Sequence, residues 1–345
     1  MRVSKLIRRT RLFLRATRSI IRSRLIDNRP FFVSHLITTR CFARCPTCLW
    51  RGDSPEERET AKIIDFYSQA REEGFIGTAF WGGEPLLRED SFEILRTCRR
   101  LGLVTGLVTN GFLIPKYYRE LSSNLDFLMV SIDIPSRRHD ELRGVDGLFE
   151  KAIQGINLVR EENPELKVFI NSLISELNYT WVEEMVKFCE EMDLTVTFES
   201  VNRGEPEFPR SDGSKWVDLR LPREREREVF RKIRELKEGG KCINNSLSYL
   251  RMFEEGVVRY NCNGKRVFIR VEPNGDVTNC LDRKNPLGNV YKERLGAIIR
   301  SEKMRSLQKR ARGCSRCVDT GTIESSLFWD FQPEVIMNTL RLFLR

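Results

Sequence analysis

Seven of the chain's ten cysteines stand in spacings that can do metal chemistry. Cys41, Cys45 and Cys48 fall within eight residues. Three thiolates that close together can grip one iron–sulfur cluster and leave one iron open to a small molecule, as catalytic zinc keeps a free position. The alternatives are a zinc site completed by a distant residue and chance spacing of free thiols. A second set comprises Cys262, Cys280 and the Cys-x-x-Cys pair Cys314 and Cys317. Four thiols on a hairpin and a short loop can close a fully ligated cluster, or a structural zinc. With only two histidines, sites built on imidazole are nearly excluded. Cys98 and Cys189 fall inside helical patterns and read as buried small hydrophobes, and Cys242 has no assigned role.

Trp81-Gly82-Gly83-Glu84-Pro85 lies one β-α unit after the first thiol set. Paired glycines let backbone approach a ligand, and a carboxylate at a strand end can hold an ammonium group.

These elements must be positioned by a sheet. From residue 30 onward β-rich runs alternate with helical patterns, which predicts parallel β-α units. Strands are expected near 31–39, 76–82, 103–109, 127–133, 167–174 and 195–201, and helices near 60–73, 91–101, 115–123, 147–162 and 180–192. Six units suit an α/β fold of partial (β/α)6, TIM-like barrel form, with chemistry at the carboxyl ends of the strands. Residues 202–222 read as a loop and 223–240 as a linking helix. After 241 a small α+β module begins, with a hairpin turning at Pro273-Asn274-Gly275 between two strands. The expected divisions are 1–28, 29–222, 223–240, 241–325 and 326–345.

The charge is +10, and residues 1–26 carry nine Lys/Arg and no acid. At about 100° per residue, Val3, Leu6, Ile7, Phe13, Leu14, Ile21 and Leu25 share a stripe among arginines. Such a helix suits an anionic membrane surface, or else docks on its own domain; nucleic acid ranks last, because the segment lacks Tyr and Trp. Val335, Ile336, Leu340, Phe343 and Leu344 form a second apolar side near the C-terminus, for which core packing is the expectation. Export signals and spanning helices are not evident, so the expected location is cytoplasmic, peripheral at the inner face of the membrane.

The Cys41/Cys45/Cys48 loop followed by Gly82-Gly83-Glu84-Pro85 resembles the radical S-adenosylmethionine (SAM) superfamily. That resemblance covers roughly 30–200 and implies a four-iron, four-sulfur cluster that reductively cleaves SAM to a 5′-deoxyadenosyl radical, with an electron donor such as ferredoxin or flavodoxin. It implies that Glu84, within Gly82-Gly83-Glu84-Pro85, meets the SAM amino group. Ser131 and Asp133 resemble its ribose-side polar pair, Arg143 stands where relatives bind a carboxylate, and Asn171 is a further SAM-side candidate. Cys262, Cys280, Cys314 and Cys317 resemble the SPASM and twitch modules of the same superfamily. The longer SPASM run stops at Cys317, which implies one auxiliary four-iron, four-sulfur cluster. Substrate expectations lean to a lipid or hydrophobic metabolite, because of the basic helix. The alternatives are a ribosomally made peptide, a sugar-like small molecule, and a non-enzymatic zinc scaffold docking on membrane or nucleic acid.

Overall fold

The computed structural model describes residues 2–53, 57–204, 206–210, 212–213 and 215–344, with side chains described from Thr10 to Asn338. Helix α1 (Arg2–Arg22) leads through a wider π turn at Ser23–Asp27 into β1 (Phe32–Thr38). The units that follow are α2 (Thr60–Glu72), β2 (Gly77–Gly82), α3 (Ser91–Arg100), β3 (Val104–Thr109), α4 (Ile114–Asn124) and β4 (Phe127–Ser131). After these come a short α5 (Arg138–Arg143), α6 (Leu148–Glu162), β5 (Lys167–Ile174), α7 (Val182–Glu191) and β6 (Thr195–Ser200). All six expected strands form within two residues of their predicted ends. Among the helices of these units only the short α5, whose six residues carry no apolar period, was not anticipated.

The sheet is seven-stranded and parallel, in the order β6-β5-β4-β3-β2-β1-β7. Its unexpected member is β7 (Phe268–Val271), which pairs in parallel with β1 from Phe32↔Phe268 to His35↔Val271. The expected hairpin is therefore lopsided. Its first arm joins the barrel sheet, while its second is reduced to a bridge at Val271↔Val277, after a turn in which Gly275 holds φ +91°. A Cβ at Gly275 would meet the Tyr291 ring at 2.1 Å, so the turn needs glycine twice over.

The interior is filled by Val33, Ile37, Phe66, Phe80, Leu107, Leu128, Ile170 and Phe198. His35 is buried in it, bonded to the Tyr67 hydroxyl at 2.8 Å; burial pushes its pKa down to about 3 and keeps it neutral.

The remaining helices are α8 (Arg223–Glu238), α9 (Leu247–Glu254), α10 (Gly264–Val267), α11 (Leu295–Ile299), α12 (Glu302–Ala311), α13 (Thr320–Trp329) and α14 (Pro333–Leu344). The charged α8 is no free linker: Phe230 and Ile233 are fully buried, and Phe230 stacks on Phe253 of α9. Helix α13 runs through the division expected at residue 325. Val335 of α14 is buried as expected, whereas Leu340, Phe343 and Leu344, with Val3, Leu6 and Ile7 of α1, lie outside the described side chains.

Helix α1 docks on the barrel. Leu12 is buried, and Ala16 and Ile20 pack on Phe31, Ile76, Val267 and Trp329. Arg15 donates to the Gly102 and Phe75 carbonyls, and Ser19 to the Gly74 carbonyl. Every one of these anchor points precedes a strand or ends a helix, so α1 covers the amino-terminal end of the barrel. No helix among the described residues is long and apolar enough to cross a membrane.

The flanking helices fit tightly. A Cβ on Gly155 of α6 would lie 2.5 Å from that of Ile114, itself fully buried at the start of α4. Gly155→Val is expected to cost about 1–3 kcal/mol of overpacking, read as a lower denaturant midpoint at unchanged slope.

Candidate active site at the carboxyl ends of the strands

The loop leaving β1 carries Cys41, Cys45 and Cys48, all partly buried thiols. It is held from three sides. The Arg44 amide donates to the Arg143 carbonyl at 2.8 Å, the Gly83 amide to the Thr38 carbonyl at 2.8 Å and the Glu84 amide to the Arg40 carbonyl at 2.7 Å. A Cβ at Gly82 or Gly83 would lie 2.1 Å from the carbonyl oxygen of Thr38 or Arg40. The two glycines are thus required for the end of β2 to lie against the root of the thiol loop.

The thiols interact with one another. Burial raises the pKa of Cys41, reinforced by Glu84 and Cys45; burial pushes Cys45 up to about 11 against the opposing Arg143 guanidinium. The Arg51 amide donates to Cys48 Sγ at 3.3 Å, and Asn110 Nδ2 stands 4.0 Å from Cys41 Sγ. Three thiolates with no imidazole beside them are the donors of a cluster that gives each thiolate its own iron. The donor set therefore suits a cluster.

Glu84 is held in place by the ends of the strands. Its carboxylate is fully buried and accepts from the Thr109 hydroxyl at 2.8 Å, the Asn110 amide at 2.9 Å and the Leu86 amide at 3.1 Å. It clamps the end of β2 to the end of β3, with the buried Pro85 opening the turn beside it. These three donors are one fewer than the four lone pairs a carboxylate can offer. Burial lifts the Glu84 pKa to about 7.

Asp133 is held likewise. It is buried and accepts from Arg143 Nε at 2.9 Å, Arg143 Nη2 at 2.7 Å and the Leu173 amide at 2.9 Å. It is the counter-ion of Arg143, whose charge also acts on Cys45 and Cys48. His139 braces this pair by accepting from the Asp133 amide at 3.2 Å; burial lowers its pKa to about 4. Ser131 and Asn171 stand side by side on β4 and β5. Asn171 Nδ2 reaches Glu199 at 3.4 Å, and its buried Oδ1 has no partner. A lone acceptor at the strand ends fits a hydroxyl donor of a bound nucleoside.

The four thiols of the second set lie within electrostatic reach of one another. Cys262 feels Cys280 and Cys314, and Cys317 feels the other three; burial and Asp319 push Cys317 up to about 12. Lys265 lies buried among them, its pKa lowered by burial and supported by Cys280 and Cys262. A fixed cation there offsets the charge of an anionic cluster. Cys98 and Cys189 are buried in helices, and Cys242 sits beside Cys189 and Val186, apart from both sets.

Two groupings had no sequence signal strong enough to assign. Arg270 of β7 lies over Trp50 at 4.3 Å and Trp81 at 5.3 Å, while Glu207 and Glu272 pair with its guanidinium. Glu199 of β6 accepts from the Thr320 amide at 2.9 Å, three residues past Cys317. The hints were Trp50 two residues after Cys48 and Trp81 immediately before Gly82.

A family model described as the radical SAM superfamily matches residues 36–189, and one described as an iron-sulfur cluster-binding domain, SPASM, matches 262–318. Among curated proteins, the AdoMet-dependent heme synthase of Oleidesulfovibrio alaskensis is 29% identical over 167 residues, covering 45% of this chain and 41% of its own length. The AdoMet-dependent heme synthase of Methanosarcina barkeri is 32% identical over 173 residues, 48% of each chain. The pre-heme d1 synthase of Dinoroseobacter shibae is 29% identical over 160 residues, 45% of this chain and 39% of its own. The chain thus spans less than half the length of these relatives. Streptococcus suis SuiB bound to S-adenosylmethionine superposes with a TM-score of 0.66 at 17% identity, over 91% of this chain and 77% of that one. Native anSMEcpe with bound AdoMet gives 0.64 at 17% identity, over 91% and 97%. At such identities these likenesses establish the fold.

Glu84→Ala is expected to leave three buried donors without an acceptor and to cost roughly 2–4 kcal/mol, whereas Glu84→Gln keeps the shape. Because the folded pKa of Glu84 is raised above its ordinary 4.5 to about 7, wild type should lose stability relative to Glu84→Gln as pH rises through that window. Thermal melts of both proteins at pH 4.5 and 7.5 check the sign.

Proposed function

This chain is a member of the radical SAM superfamily with a C-terminal SPASM iron–sulfur domain, and from that premise we propose that it removes a hydrogen atom from a planar, carboxylate-bearing tetrapyrrole. The cluster and SAM supply a 5′-deoxyadenosyl radical. Cys41, Cys45 and Cys48 would hold the cluster on its loop, and Cys262, Cys280, Cys314 and Cys317 one auxiliary cluster. Arg143, aimed by Asp133, would neutralise a carboxylate or the thiolate charge beside Cys45. Main chain at Gly82 and Gly83 would take the amino end of SAM, while Ser131 and the free Oδ1 of Asn171 would take hydroxyls. A low-potential donor such as ferredoxin or flavodoxin would supply the electron.

The observation that carries the substrate class is the Trp50–Arg270–Trp81 platform between the two thiol sets. The two indoles meet edge to face at 5.0 Å, and the charge of Arg270 reaches both Lys265 and Asp319. Indole faces suit a conjugated ring, and Arg270, held by Glu207 and Glu272, fixes the two indoles in place; Arg143 is the guanidinium that suits a peripheral carboxylate. Three curated relatives whose names denote heme or pre-heme d1 synthesis support the same class. The lipid expectation loses its ground, because α1 lies at the amino-terminal end of the barrel and about 20 Å of strand separates it from the thiol loop.

With the reconstituted enzyme, SAM and dithionite, a heme-type iron porphyrin carrying propionates should raise 5′-deoxyadenosine formation and shift its own Soret band on binding. Trp50→Leu should weaken that binding about tenfold, the scale of one aromatic contact, and leave the SAM cleavage seen without porphyrin unchanged. A porphyrin that neither binds nor stimulates cleavage would refute the substrate class.

A further inference from the structure

Helix α1 has two apolar faces, and the fold uses one. Leu12, Ala16, Ser19, Ile20 and Ser23 fall within an arc of about 100° when residues advance about 100° each, and this arc faces the barrel. Leu14 and Ile21 lie on the opposite side, 62% and 51% exposed. The π turn continues that side with Leu25 and Ile26, 76% and 74% exposed. Of the ten large apolar residues exposed among the described residues, five lie between Phe13 and Ile26. A sixth, Phe331, is joined to them by the Arg24 guanidinium, 4.0 Å over its ring. Scattered exposed apolar residues are ordinary; six gathered on one end of a molecule are not.

Charge decides what covers this face. Arg11 and Arg18 run along one border of the stripe with Arg22, which pairs with Asp27 at 3.1 Å, and Arg24, bonded to the Trp329 carbonyl, stands on the other; no acid precedes Asp27. We propose that the outward face of α1, with Phe331, is a docking surface for an anionic phospholipid bilayer. An apolar stripe bordered by arginines lies in the headgroup region, with its side chains in the acyl boundary and its guanidinium groups on lipid phosphates. Because the opposite face of α1 caps the amino-terminal end of the barrel, the docked enzyme turns the carboxyl ends of its strands away from the bilayer. Substrate and electron donor then reach the site from the aqueous side. This inference is independent of the substrate class.

The test is cosedimentation of the full-length, cluster-loaded protein with vesicles of phosphatidylcholine alone or mixed with phosphatidylglycerol. Binding to the mixed vesicles only is expected, with release as salt rises to about 0.5 M. The combined Leu14→Ser, Ile21→Ser and Leu25→Ser variant should lose binding at least about tenfold, with an unchanged melting midpoint and unchanged 5′-deoxyadenosine formation. Failure to bind anionic vesicles at low salt, or equal binding by the variant, overturns the proposal. So does a wild-type dimer that the variant converts to monomer without lipid, since the stripe would then join two copies of the chain.

Discussion

The site depends on the hydrogen bonding of β1 along both of its edges. On one side β2 runs parallel to it and ends in two glycines, packed so closely that a single Cβ would strike the carbonyls of Thr38 or Arg40. On the other side β7 runs parallel to it from Phe268 to Val271 and leads through its turn to Cys280. One strand therefore fixes the root of the first thiol loop and the entry to the second thiol set. The separation between the two sets is built into the sheet and does not rely on a hinge between modules.

Around that strand, the polar groups mostly hold one another. Glu84 is spent on β3, Asp133 on Arg143, and Glu199 on Thr320. Buried carboxylates placed this way fix the strand ends relative to one another, which is the preorganisation that radical chemistry needs in order to keep a reactive intermediate near one partner. What stays available is sparse and specific: the thiols, the Arg143 guanidinium between them and Asp133, the Asn171 carbonyl oxygen, and the face of Trp50 and Trp81.

The barrel was legible in the sequence because each β-α unit repeats a local pattern, and parallel strands buried on both faces read as apolar runs. The four-residue β7 was not, since its place is set by pairing with residues more than 200 positions away. The cysteines were legible because their spacing is itself the signal. The hydrogen-bond partners of Glu84 and Asp133 were not, because a motif gives the residue and not which way its carboxylate turns. Helix α1 shows the same limit. Phe13, Leu14, Ile21 and Leu25 form a real stripe, yet the stripe that docks is Leu12, Ala16 and Ile20, made partly of small residues that score weakly as apolar.

The central claim is that the two thiol sets hold two separate clusters, of which only the first drives SAM cleavage. Its most direct test is iron and acid-labile sulfide per chain after anaerobic reconstitution, in wild type and in the combined Cys41→Ala, Cys45→Ala and Cys48→Ala variant, with 5′-deoxyadenosine measured on the same samples. The account predicts about eight irons falling to about four, with 5′-deoxyadenosine from wild type alone. An unchanged iron content, or a variant that still cleaves SAM, would contradict it.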